Sequence, residues 1–104
     1  MSENGTRESY QPVVRLFAAL ANPVRAAIID RLTRGEAAVG ELVSLVGVSQ
    51  PLVSHHLKVL REAHLVEVRR DAQRNLYSLT DDHVASIFLD AHHHMKEHDH
   101  DCHH

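Results

Sequence analysis

The sequence predicts a mainly α fold with one small β-hairpin, and three observations predict it. Apolar residues recur at three- and four-residue spacing along most of the chain, the signature of amphipathic helices. The period shortens only after His64, where Leu65-Val66-Glu67-Val68 and Leu76-Tyr77-Ser78-Leu79 flank the polar, charged run Arg69 to Asn75, as in a hairpin. Apolar residues make up 43% of 104 positions, with two Phe, two Tyr and no Trp, so the core is aliphatic. A chain of this length makes one small domain, for which dimerisation adds buried surface.

Taken in order, residues 1–10 are polar, contain Gly5 and lack periodicity, which predicts a flexible N-terminal tail. The folded domain is expected over residues 11–97. After Pro12, Val13, Leu16, Phe17 and Leu20 predict a short amphipathic helix. Asn22-Pro23 reads as N-cap and first helical position, opening a second helix that buries Val24, Ala27, Ile28 and Leu32 before Gly35 ends it. Val39, Leu42, Val43 and Val46 predict a short third helix, with Gly47 placed to stop it in a left-handed conformation. Ser49-Gln50-Pro51 restarts the chain, and Val53, Leu57 and Leu60 supply the buried face of a fourth helix. Two helices around a Gly-containing turn make a helix-turn-helix, and a hairpin after them gives the order of a winged helix-turn-helix. The hairpin lacks an Asn-Gly or Asp-Gly pair, so its turn type stays open. A last helix, Thr80 to Glu97, carries the stripe Val84, Ile87, Phe88, Ala91 and Met95. Residues 98–104 form a His-rich C-terminal tail that cannot build a core. Dimerisation is expected through the N- and C-terminal helices.

The formal net charge is −3, but its distribution is uneven. Residues 48–74 hold Lys58, Arg61, Arg69, Arg70 and Arg74 against Glu62, Glu67 and Asp71, whereas residues 81–104 hold six acids and Lys96 alone. A basic middle and an acidic, histidine-rich end suggest an anion for one surface and a cation for the other. No run of eighteen apolar residues or charged leader with an apolar core is present, so no membrane partner is expected. The lone cysteine, Cys102, has no intrachain partner, and a reducing cytoplasm is the expected compartment. With no Gly-rich phosphate loop and no nucleophile motif, no enzyme activity is expected.

On the second helix of the motif, Gln50, Ser54 and His55 are short enough to reach base edges. Lys58 and Arg61, with Arg69, Arg70 and Arg74 of the hairpin, suit phosphates. A merely solvated helix face is the plain alternative; cap, turn, helix and basic wing in the required order argue against it. Adjacent His55 and His56 point about 100° apart on a helix, so one is expected to face DNA while the other packs.

The last helix carries Asp81, His83, His94 and Glu97, all metal-ligand types. His94 stands eleven positions after His83, about 1100° of turn and about 16 Å of rise. Both imidazoles therefore lie on nearly one face, too far apart for one ion about 2 Å from each ligand. Two copies running antiparallel, with a two-fold axis near Phe88 and Leu89, bring His83 of one chain to His94 and Glu97 of the other. Asp81, only two residues from His83, must bind from the first turn. The alternative is that Asp81 merely caps the helix and the histidines are solvated.

The segments Leu20-Ala21-Asn22-Pro23-Val24-Arg25 and Ser49-Gln50-Pro51-Leu52-Val53-Ser54-His55-His56-Leu57-Lys58-Val59-Leu60 resemble the ArsR/SmtB family of metal-sensing repressors, the likeness covering Ala18 to Glu97. It implies that Asp81, His83, His94 and Glu97 match the family's zinc site across paired C-terminal helices. Ala38 and Gly40 stand where the family's other frequent site needs thiolates, so that site is absent, and nitrogen and oxygen donors favour zinc, nickel or cobalt. The resemblance implies a homodimer that binds inverted-repeat operator DNA when metal-free and releases it on binding zinc. His98, His100 and His103 are further candidate ligands, which would suit a nickel or cobalt sensor. Outside this class, a His-rich metal-storage or chaperone protein is the alternative.

Overall fold

Capping side chains mark where three of the helices begin. In the computed structural model, which describes the backbone of residues 3–102 and the side chains of residues 5–99, the order is α1 (Glu3–Ser9), α2 (Gln11–Leu20), α3 (Pro23–Leu32), β1 (Ala37–Ala38), α4 (Val39–Val46), α5 (Gln50–Glu62), β2 (Val66–Asp71), β3 (Arg74–Leu79) and α6 (Asp82–Cys102). Asn22 is extended, and its Oδ1 accepts hydrogen bonds from the backbone N–H groups of Val24 at 2.9 Å and Arg25 at 3.1 Å. Those donors have no partner inside the helix, so the cap satisfies them. Ser49 Oγ accepts from the N–H of Leu52 at 3.4 Å, and Gly47, at φ 70°, ends α4 in the left-handed region that favours glycine.

The sheet has the order β1-β3-β2, all antiparallel. Only Ala72 and Gln73 lie between Asp71 and Arg74, which face each other at the end of the hairpin. The strands therefore take in most of the Arg69 to Asn75 run expected to lie between them, and Ala72 makes the reversal at φ 54°. The strand β1, where Ala37 pairs with Tyr77 and Ala38 with Leu76, was not expected: two alanines carry no alternation from which to read a strand.

The core is aliphatic, as expected. Ile28, Ile29 and Leu32 of α3 meet Leu42 of α4, Val53, Leu57 and Leu60 of α5, then Leu65, Val66 and Val84. Ile29 is as fully buried as Ile28 because α3 is central, packing on α2, α4, α5, α6 and β3. A helix covered on several sides buries more than one stripe.

Both chain ends are more helical than expected. Within residues 1–10, Glu3–Ser9 forms α1 in place of an irregular tail; Ser9 Oγ donates to the carbonyl of Thr6 at 2.8 Å, and Arg7 stands in the last turn, where a cation complements the helix dipole. At the other end α6 runs through His98 to Cys102, past the boundary expected at Glu97. The chain holds no Gly or Pro from Thr80 onward, so nothing local stops the helix.

Candidate nucleic-acid interface and metal face

Helix α5 buries Val53, His56, Leu57 and Leu60 and leaves Gln50, Ser54, His55, Lys58 and Arg61 exposed. Gln50, Ser54, Lys58 and Arg61 follow one another at spacings of four, four and three, a single row on the outer side. The adjacent histidines divide between surface and core. His55 faces solvent, whereas His56 is 7% exposed and is the one buried polar side chain among the described residues. Its Nδ1 lies 3.2 Å from Nη1 of Arg25, whose Nε donates to the carbonyl of Ala19 at 2.6 Å. A guanidinium only donates, so His56 Nδ1 accepts and its proton sits on Nε2. Burial, and then the nearby charges of Arg25 and His55, hold the imidazole below its ordinary pKa. Three elements, α2, α3 and α5, are thereby pinned through one guanidinium.

On the hairpin, Arg69 forms a bidentate pair with Glu36, 3.0 Å from Nε and 2.6 Å from Nη2. That hydrogen bond lowers the Glu36 pKa and raises that of Arg69. Arg69 thus ties β2 to the residue leading into β1. Nearer the tip, Arg70 donates to the carbonyl of Ala72 at 3.1 Å and to Asn75 Oδ1 at 3.4 Å. Arg74 lies 3.9 Å from Asp71. Both are exposed beside the two-residue loop.

At the start of α6, Asp81 Oδ1 accepts from the N–H of His83 at 2.9 Å and of Val84 at 3.3 Å, and it lies 3.5 Å from His83 Nδ1. Capping and ligand placement are compatible here, since the cap brings the carboxylate and the imidazole together. His94 and Glu97 are exposed further along α6. Among the described residues no three metal-ligand side chains converge within one chain, as the length of helix between His83 and His94 demands. The oxygen and imidazole donors fit a borderline divalent cation. His98 packs its ring 4.3 Å from that of His94, centroid to centroid; the His100 and His103 side chains lie outside the described residues.

The fold has known counterparts. Residues 22–68 match the family model described as bacterial regulatory protein, arsR family. The HTH-type transcriptional repressor SmtB of Mycobacterium tuberculosis is 46% identical over 85 residues, 82% of this chain and 63% of the relative, so the chain spans just under two thirds of that protein's length. The biofilm growth-associated repressor of Xylella fastidiosa is 36% identical over 87 residues, 84% of this chain and 76% of the relative. The chain belongs to the ArsR family.

The solution structure of the homodimeric winged helix-turn-helix DNA-binding domain of Mb0332 from Mycobacterium bovis matches with a TM-score of 0.85 at 32% identity, covering 94% of this chain and 90% of that one. The fold of this ArsR-family chain is accordingly a winged helix-turn-helix, and its kin are regulators rather than enzymes. No single helix among the described residues is long and apolar enough to cross a membrane.

Sequence reasoning missed Arg25 and Glu36, which position the outer residues of this ArsR-family chain. A signal existed for the first of these. His56 stands three after Val53 and four before Leu60, inside the apolar stripe, so it needed a polar partner from a neighbouring helix. The second depended on β1, which the sequence does not announce. A further face is left uncovered: Phe17 of α2 is 55% exposed, and Ile87 and Met95 of α6 are 39% and 56% exposed, around a groove that Leu20 and Phe88 also line.

Proposed function

We propose that the chain is a homodimeric, metal-responsive transcriptional repressor that binds operator DNA when metal-free and releases it when zinc occupies two sites shared between the α6 helices. The observation that carries the reading is the layout of α6. It holds a capped Asp81-His83 pair at one end and exposed His94 and Glu97 eleven and fourteen residues beyond His83, beside apolar residues that a second α6 would cover. Antiparallel pairing turns two half-sites of each chain into two complete four-ligand sites.

In this reading Gln50, Ser54 and His55 face base edges, while Lys58, Arg61, Arg70 and Arg74 take phosphates. Arg69, its charge balanced by Glu36, braces the wing. Because ligands come from both protomers, metal acts on subunit orientation, and with it on the spacing of the two α5 helices. Linkage requires DNA to weaken metal binding by the same factor. A nickel or cobalt response is the second reading, favoured by the helix that carries His98 to one turn from His94.

The test is a titration of the DNA-bound dimer with zinc, nickel and cobalt, followed by fluorescence anisotropy. His83→Ala or His94→Ala is expected to keep operator affinity and lose metal-driven release, with zinc the strongest releaser of the unaltered protein. Normal release by both variants overturns the shared site. Nickel or cobalt outranking zinc selects the second reading.

A further inference from the structure

We propose that His94 and His98 form a chelating pair within a single protomer, a two-imidazole site for a divalent 3d cation that favours nitrogen donors, Cu2+ foremost. The argument begins with α6 continuing to Cys102. Had the helix ended at Glu97, His98 would have no fixed relation to His94; in a continuous helix the two stand four residues apart, one above the other. Their ring centroids are 4.3 Å apart with planes tilted by 51°, and both side chains are exposed, so ring nitrogens can turn toward one ion without unburying anything.

No other described histidine of α6 has this relation. The residue four beyond His92 is Lys96 and the one four beyond His93 is Glu97. His92 instead stacks on Phe88, 5.8 Å between centroids and 19° between planes, beside the uncovered groove. Among the described residues no third ligand type joins His94 and His98, so the protein supplies two donors and solvent fills the remaining positions. Neutral imidazole pairs of this kind follow the Irving–Williams order, which places Cu2+ above nickel, cobalt and zinc, and a tetragonal ion tolerates an open site that a tetrahedral zinc centre does not favour.

One consequence rests on the function proposed above. His94 belongs both to the one-chain pair and to the shared four-ligand site, so an ion held by His94 and His98 removes a ligand from the other. Copper at this pair is expected to blunt zinc-driven operator release rather than mimic it.

The experiment titrates Cu2+ into the metal-free dimer carrying His100→Asn, His103→Asn and His104→Asn to silence the tail. Affinity is read by chelator competition and donor number by nitrogen hyperfine structure in electron paramagnetic resonance. Two imidazole nitrogens are expected. Adding His98→Ala should reduce the donor count to one and weaken Cu2+ at least about tenfold, since even loss of an outer partner of a metal ligand costs that much. Adding His83→Ala should leave copper binding as it was. Unchanged affinity in the His98→Ala protein overturns the pair, as does loss of copper in the His83→Ala protein, which would put the ion between chains. If zinc fails to release DNA while the copper results hold, the sensing reading falls and the chelate stands.

Discussion

Helix α5 and helix α6 are built on opposite terms. Every apolar residue on the inner side of α5 is covered by its own chain, its N-terminus is capped by Ser49, and its one buried polar group, His56, has a partner in Arg25. Helix α6 buries Val84 but leaves Ile87 and Met95 exposed, and among the described residues no three of its metal-type side chains converge within the chain. The surface proposed to read DNA is complete in one protomer. The surface proposed to sense metal is half a surface, and in that proposal dependence on a second chain would let an ion act on the distance between two reading helices.

Removing Leu57, 1% exposed, tests the closed side. Leu57→Ala is expected to cost about 2–5 kcal/mol of unfolding free energy, the range for a large aliphatic side chain cut from a packed core, measured by urea denaturation. A loss below about 1 kcal/mol would mean that α5 is not rigidly packed. On the open side, Phe17 is 55% exposed, so Phe17→Glu should leave the fold of each protomer intact by circular dichroism. It should weaken the dimer at least about a hundredfold by sedimentation, because an unpaired carboxylate buried in an apolar contact costs several kcal/mol. An unaltered dimer would remove α2 from the interface and leave α6 alone as the open side.

Legibility in the sequence follows the same division. Asn22-Pro23, Gly47 and Ser49-Gln50-Pro51 placed the helix starts and stops because caps are local chemistry, decided within four residues. The inward residues of α5 were legible from spacing alone. What escaped depends on partners remote in sequence: β1 exists because Ala37 and Ala38 meet β3, and Arg69 is engaged because Glu36, thirty-three residues earlier, lies beside it. The reach of α6 escaped for another reason. A run of His and Asp reads as a solvated tail by composition, while the absence of Gly and Pro, the weaker signal, agrees with the helix that forms. The candidate ligands Asp81, His83, His94 and Glu97 were singled out from spacing alone, because a separation that one helix cannot close points to two.

The smallest expected effect is also the one that reaches inside the reading helix. His56 is held neutral by burial and by Arg25, so its folded-state pKa lies below the ordinary value of about 6.5 that it regains on unfolding. Over the interval between those two values the unfolded chain binds the proton and the folded chain does not, so unfolding free energy rises with pH there. The stability contributed by a neutral His56 is thus fully present above about pH 6.5 and is lost as pH falls toward the folded-state pKa. His56→Gln, whose amide oxygen can still accept from Arg25, should flatten that acid limb in urea titrations at a series of pH values, whereas His55→Gln, which removes only the smallest of the causes, should leave most of it in place. If both variants keep the limb, the imidazole is not what opposes protonation, and the Arg25 contact holds α5 without regard to charge. If only His56→Gln flattens it, the closed half of the molecule carries a proton response of its own, independent of whatever ion the open half collects.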